Sequence, residues 1–308
     1  MIDFIGKRSW FFFISAIMVI VSIASLAIFG LKVSMDFTGG TRMTLEFSSP
    51  VERSQLEDEL ASLNYTEASI EPAGKNSFTV EVERREILPQ EKDKLVNDLE
   101  IGMNSQINVV DYYTVLPRVG SETAINSGIA VAVASVAMLV YMAWAFRKMP
   151  KPIRWGTCAI IALLHDVFIV VGIFSFLSWS LGVKINPYFI GALLTVVGYS
   201  INNTVVVYDR IRENKTKGIS TDFAVTVNSS IVETLGRCLN TSLTTVFTIL
   251  ALFLFGGATI HYFVLALLIG VLVGTYDSMC IAGELLVTWE RGEWRKISTW
   301  LPFVRQPT

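Results

Sequence analysis

The sequence predicts an α-helical membrane protein of six transmembrane helices, with a ferredoxin-like α+β domain held outside the membrane between helices one and two. Three observations carry this. The 308 residues are 52% hydrophobic, and the mean hydropathy of +0.52 lies well above that of a soluble domain. Six apolar segments reach the ~20 residues that cross ~30 Å of hydrocarbon. A single long polar stretch separates the first two of them.

The segments run in order at roughly 10–30, 124–146, 156–179, 188–208, 239–256 and 261–288. Lys7 and Arg8 precede the first, and Ser22-Ile23-Ala24 loosely mimics a cleavage site. Its apolar run exceeds a secretory signal core, so residues 1–30 read as an uncleaved first helix. Residues 31–122 form the polar domain, 123–290 a five-helix bundle with a loop at 209–237, and 291–308 a tail.

The polar domain holds 17 acidic and 9 basic residues, a formal −8, whereas the whole chain carries −2. That imbalance argues against nucleic acid as a partner of this domain. Lys and Arg in the short loops fix the orientation. Fifteen of them fall on one side, against Lys184 alone on the other. Both termini are therefore expected in the cytoplasm and residues 31–122 outside, in a multi-pass cytoplasmic (inner) membrane protein.

Within the outward domain, Met43, Leu45 and Phe47 alternate in a strand over 41–48. Leu56, Leu60 and Leu63 have helical spacing over 51–63. Strands at 68–72 and 77–83 flank the turn Ala73-Gly74-Lys75-Asn76, a second helix starts near Pro89, and 108–116 closes the unit. The order is βαββαβ. No catalytic triad, phosphate loop or metal cluster is present, so an enzyme is not expected. Cys158, Cys238 and Cys280 fall in or beside spans and read as small buried residues, and two histidines leave little for a metal site.

Polar residues inside the spans mark ion or substrate paths. Asn202 and Asn203 lie in the fourth, His165 and Asp166 in the third, Asp277 in the sixth, with Glu284 expected at that helix's cytoplasmic end. Counted from the span starts at 188 and 261, Asn203 and Asp277 stand at nearly equal offsets. At ~1.5 Å per residue the two share one depth and are candidates to face each other. A buried carboxylate can bind and release a proton near neutral pH; an amide cannot. Asp277 therefore reads as an ion-coupling carboxylate, with helix packing through Asn202 or Asn203, or loss of coupling, as alternatives. Sodium, held by amide oxygens, Asp277 and the Thr204 or Thr275 hydroxyls, is the alternative to H+. His165-Asp166 reads as a packed pair, with direct proton relay as the alternative. Asp209, Arg210, Arg212 and Glu213 read as an interfacial network, and 222–239 as an amphipathic helix with Phe223, Val227, Ile231 and Leu235 on one face.

Gly198–Asn214, GYSINNTVVVYDRIREN, resembles the long motif of the SecD/SecF family of protein-export membrane proteins, part of the RND superfamily. Asp36-Phe37-Thr38-Gly39-Gly40 is similar to the family's D-F-x-G-G turn element, in which Asp36 reads as a turn or cap residue and Gly39 and Gly40 set a sharp turn. Leu116–Glu122 resembles its return segment, with Leu116 where glycine is expected. Two departures stand out. The family usually has Asp where this chain has Asn203, and G-T-Y-S-S where it has Gly274-Thr275-Tyr276-Asp277-Ser278. The carboxylate is thus expected to have moved from position 203 to Asp277. The resemblance implies a six-span RND-type half that pairs with SecD beside the SecYEG channel. Proton flow would move the outward domain against unfolded exported polypeptides, and Asp209–Glu213 would act as a conformational lock. It implies no cofactor and no partner besides these and membrane lipid. An RND-type small-molecule or lipid exporter, and an uncoupled scaffold or holding chaperone, are the alternatives.

Overall fold

A computed structural model describes residues 2–66, 68–257 and 260–293. Most of the expected tail, 294–308, lies outside the described residues. Two compact units emerge: Met1–Lys32 with Ala130–Val183 and Tyr188–Thr308, and Val33–Ile129 with Lys184–Pro187.

The second unit is the polar domain. A one-turn helix α1 (Met35–Thr38) leads into β1 (Gly40–Phe47), α2 (Arg53–Ser62), β2 (Ala68–Pro72), β3 (Ser77–Glu83), α3 (Pro89–Met103) and β4 (Ile107–Val115). The strands lie in the order β2-β3-β1-β4, all pairs antiparallel, which is the expected ferredoxin-like topology. Alternation in β1 buries Met43, Leu45 and Phe47 against Leu56 and Leu60 of α2 and Leu95 and Leu99 of α3. Each such side chain contributes about 1.5–3 kcal/mol. A Glu52–Gln55 capping box starts α2, and Pro89 starts α3. Asn104 ends α3 in the left-handed region, at φ 48°.

This unit differs from 31–122 in its ends, Val33 and Ile129, and in recruiting Lys184–Pro187, from the turn after the third span. The Ser34 amide donates to the Ile185 carbonyl at 2.8 Å. Lys184 Nζ reaches Glu83 at 2.7 Å and Glu81 at 3.2 Å, and Glu81 also accepts from Arg42 Nε at 2.6 Å. Glu81 is 5% exposed, so both cations neutralise a carboxylate largely withdrawn from water. Positive φ at Gly39 (80°) and Gly40 (149°) puts both outside ordinary backbone geometry. A Cβ on Gly39 would stand 2.6 Å from Pro117 Cα, and one on Gly40 would stand 2.4 Å from the Val82 carbonyl oxygen.

The first unit is the membrane bundle. All six spans are long apolar helices: α4 (Arg8–Phe29), α5 (Pro117–Ala145), α6 (Pro152–Ser180), α7 (Pro187–Lys217), α8 (Phe223–Phe255), and a sixth divided into α9 (His261–Cys280) and α10 (Ala282–Glu290). Three boundaries correct the sequence expectations. Helix α5 begins before 123. Helix α7 does not stop at 208 but carries the charged run to Lys217. The amphipathic segment and fifth span fuse into one helix, α8, of 33 residues. Small residues set the packing of α4 on α6: a Cβ on Gly172 would fall 2.2 Å from Ser22 Cβ. The Ser175 hydroxyl caps carbonyls of Ser25 and Gly30.

Candidate functional site

Two helices bring the titratable groups together. His165 and Asp166 come from α6, Asp277 from α9. Asp166 and Asp277 are 0% exposed and His165 is 8% exposed. His165 Nδ1 lies 3.1 Å from Asp166 Oδ1 and 3.6 Å from Asp277 Oδ1. The first is a hydrogen bond; the second falls just beyond that range. Ser200 of α7 donates to the other oxygen of Asp166 at 2.5 Å. Both Asp277 oxygens and His165 Nε2 are buried without a hydrogen-bond partner among the described residues. A carboxylate so placed in hydrocarbon calls for a proton or a cation.

One histidine thus does gather acidic groups, although two in the chain promised little. His165, Asp166 and Asp277 each offer an atom within 4.8 Å of the others. The oxygen-only sodium set expected from sequence does not assemble around Asp277. Its members are engaged elsewhere. The Thr204 hydroxyl donates to Ser278 Oγ at 3.3 Å, and Thr275 Oγ1 lies 2.7 Å from Ser242 Oγ.

Asn203 and Asp277 share a depth by residue count, yet no hydrogen bond joins them. The buried Asn203 amide donates to Ser242 of α8 at 3.4 Å, and the Tyr199 hydroxyl donates to the same oxygen at 3.1 Å. Asp277 instead lies beside His165. Asn202 is exposed on this chain's surface and takes no part. Of the expected ion-coupling residues Asp277, Asn203, Asn202 and Asp166, the structure brings Asp166 and Asp277 together on His165, with Ser200 in support, and gives Asp277 no hydrogen bond to Asn202 or Asn203.

Glycines in the sixth span permit this approach. A Cβ on Gly270 would come 2.1 Å from the Val196 side chain. One on Gly274 would come 3.1 Å from Ser200 Cβ and 3.3 Å from Asp166 Oδ2.

The charged run is helical and internally paired. Arg212 pairs with Asp209, Arg210 with Glu213 and with Glu233 of α8, and Lys217 with Glu213. Its member Asn214 is buried, which sequence reasoning did not foresee. Asn214 is 0% exposed and donates to Ser230 Oγ and to Glu233 Oε2, each at 2.9 Å, tying α7 to α8. In the polar unit, Asp36 Oδ2 accepts the Ser34 hydroxyl at 2.9 Å and lies 3.9 Å from Arg42. Sequence reading also missed Ser200 and Ser242. Ser200 stands one turn before Asn203 and Thr204 on the buried side of α7, a helical spacing that flags it. Glu284 was expected at the interface; it is 0% exposed.

Residues 96–292 match the family described as protein export membrane protein SecD/SecF, C-terminal, and residues 24–51 match the SecD/SecF GG motif. The chain belongs to the SecD/SecF family. Protein translocase subunit SecF of Thermobaculum terrenum is 42% identical over 308 residues, 96% of each chain. The SecF subunit of Anaerolinea thermophila is 40% identical, again over 96% of each. Protein translocase subunit SecDF of Bacillus subtilis is 33% identical over 96% of this chain but 39% of its own length. The crystal structure of SecDF from Thermus thermophilus, a translocon-associated membrane protein, superposes with a TM-score of 0.82 at 34% identity. The match covers 94% of this chain and 39% of that one. The SecD/SecF C-terminal match spans His165, Asp166, Asn203 and Asp277, and the GG-motif match spans Gly39 and Gly40.

Proposed function

We propose that this chain is an accessory subunit of Sec protein export that couples proton flow through its membrane bundle to movement of the outward domain on emerging polypeptide. The observation that carries this reading is the meeting of Asp166 and Asp277 on His165, inside the bundle and out of water. A group that shuttles protons must bind one without a permanent counter-charge, and must have a second site within reach to receive it. His165 turns one nitrogen, Nδ1, toward both carboxylates, so that a single ring position can exchange a proton with either, while Nε2 stays unpartnered. A nitrogen donor beside carboxylates suits a proton better than sodium, a hard ion that favours all-oxygen shells.

The partners follow from the relatives. In the two SecDF chains the matching part is 39% of a longer protein, which supports a SecD-type half as the separate partner here, beside the SecYEG channel. Exposure within the bundle agrees. Helices α5 and α8 leave most of their apolar length uncovered, whereas α6 is half-buried. Two spans are thus free to meet a second half or lipid. The placement is the cytoplasmic membrane, both termini inside and the 31–122 domain outside.

The test is export in membrane vesicles that contain the partner subunit, driven by an imposed proton gradient. Asp277→Asn and Asp277→Ser, at matched assembly, should both abolish gradient-stimulated export. Native rates in both would remove Asp277 from coupling and leave an uncoupled scaffold or holding role as the better account.

A further inference from the structure

Glu284 is the buried acid that the central cluster does not use. It is 0% exposed and both its carboxylate oxygens lack a hydrogen-bond partner among the described residues. Asp277 lies seven residues before it, and Thr288, also 0% exposed with its hydroxyl oxygen unpartnered, lies four after. Glu284 and Thr288 stand one turn apart on one side of a helix, and Asp277 precedes them by seven residues in the same span. Three consecutive orphan polar groups thus run from the membrane centre toward the end of the sixth span.

The backbone is interrupted between the first two. Helix α9 ends at Cys280, Ile281 has φ −128° and ψ −52°, and α10 begins at Ala282, whose carbonyl accepts the Tyr208 hydroxyl at 2.9 Å. Glu284 therefore occupies the first turn of a new helix, where free N–H groups favour a carboxylate. Broken helices at ion sites are the places where backbone groups and water meet within a membrane. The titratable groups around Glu284 are Arg8, Tyr208, Tyr276, Asp277 and Cys280. Arg8 is the one cation among them and is itself held by Glu293 at 2.8 Å.

We propose that Glu284 is the cytoplasmic-side proton station of the bundle, passing protons between Asp277 and cytoplasmic water along the Asp277–Glu284–Thr288 series. This rests on the proton-coupled reading above. The step is a plain transfer: protonated Asp277 gives its proton to the Glu284 carboxylate, and Glu284 releases it to water. Seven residues span ~10 Å of helix, so the transfer runs through bridging water rather than by direct contact.

The experiment uses vesicles with the full chain and its partner, an imposed gradient and several cytoplasmic-side pH values. Glu284→Gln should lower gradient-stimulated export by at least about tenfold and flatten its dependence on cytoplasmic-side pH, while Glu284→Asp restores most of both. Glu284→Gln at native rates and native pH profile, with Asp277→Asn inactive, overturns the station and spares the coupling. Native rates in both overturn the coupling itself. Should Glu284→Gln fail to assemble, Cys280 decides, since it lies within reach of both acids. With Cys158 and Cys238 replaced by alanine, a charged, membrane-impermeant thiol reagent added from the cytoplasmic side should label Cys280. A Cys280 that stays unlabelled overturns the proposed water path.

Discussion

Ser200 donates its hydroxyl to Asp166 Oδ2 at 2.5 Å, while the other oxygen of that carboxylate faces His165 Nδ1 at 3.1 Å. Asp166 is thus held on both sides, and Asp277 across from it is held on neither. Ser200→Ala removes one of two anchors from a buried acid, at a cost of about 1–3 kcal/mol. A lower thermal midpoint of the detergent-solubilised chain is expected. An unchanged midpoint would show that Asp166 needs only His165.

The glycine at 270 tests the close approach of the sixth span. Gly270→Ala forces a methyl group to within 2.1 Å of Val196. The substitution should destabilise by about 1–3 kcal/mol. Gly191, also helical but with nothing within 4 Å of an added Cβ, is the contrast. There alanine should be neutral or stabilise by up to about 1 kcal/mol through helix propensity. Equal midpoints for the two variants would contradict the packing described.

In the polar unit, Gly39→Ala and Gly40→Ala meet two obstacles at once: a backbone conformation that side chains rarely adopt, and main-chain atoms at 2.6 Å and 2.4 Å. Each should cost about 2 kcal/mol or more. Faster amide exchange across β1 and β3 than in the native chain is the expected readout, and exchange at the native rate would count against it.

Lys184 gives a pH dependence of defined sign. Burial opposes its charge, but the carboxylates of Glu83 and Glu81 more than offset this and leave its pKa above the usual lysine value of 10.5. A raised folded-state pKa means that the contribution is complete below the unfolded value and is lost as pH rises through the folded one. Lys184→Met should therefore weaken the polar unit at pH 8 by about 1–3 kcal/mol. The gap to native should narrow only above pH ~10.5. Limited proteolysis at pH 8 and pH 11 measures both. A gap that persists unchanged at the higher pH would rule out the ion pair as its source.

The outward fold was legible because each element has its own period. Met43, Leu45 and Phe47 alternate, Leu56 and Leu60 step by four, and the turn at Ala73–Asn76 separates two short strands. The six spans were legible from length and hydropathy. What the chain did not disclose was azimuth. Counting residues puts Asn203 and Asp277 at one depth, but rotation about each helix axis decides their neighbours. That rotation sends Asn203 to Ser242 and Asp277 to His165. Glu284 lies near the end of its span, as counted, but proximity to a helix end says nothing about which side it faces, and it faces inward. The run at 209–217 looked like an exit from the helix because it is charged. Its charges instead pair at i,i+3 and i,i+4, which prolongs α7.

The fusion of the fifth span with the segment before it has a mechanical consequence. A helix of 33 residues is ~50 Å long, whereas the hydrocarbon needs ~30 Å. Roughly 20 Å of α8 therefore projects beyond the bilayer core. Asn214 clamps that projection to the extended end of α7. Two helices bound at their tips behave as one stiff spar. A tilt of ~10° at the membrane centre would carry that tip through several ångströms, on the order of one helical turn. A partner docked on the projecting end of this spar would meet a tilt of the two helices as a displacement.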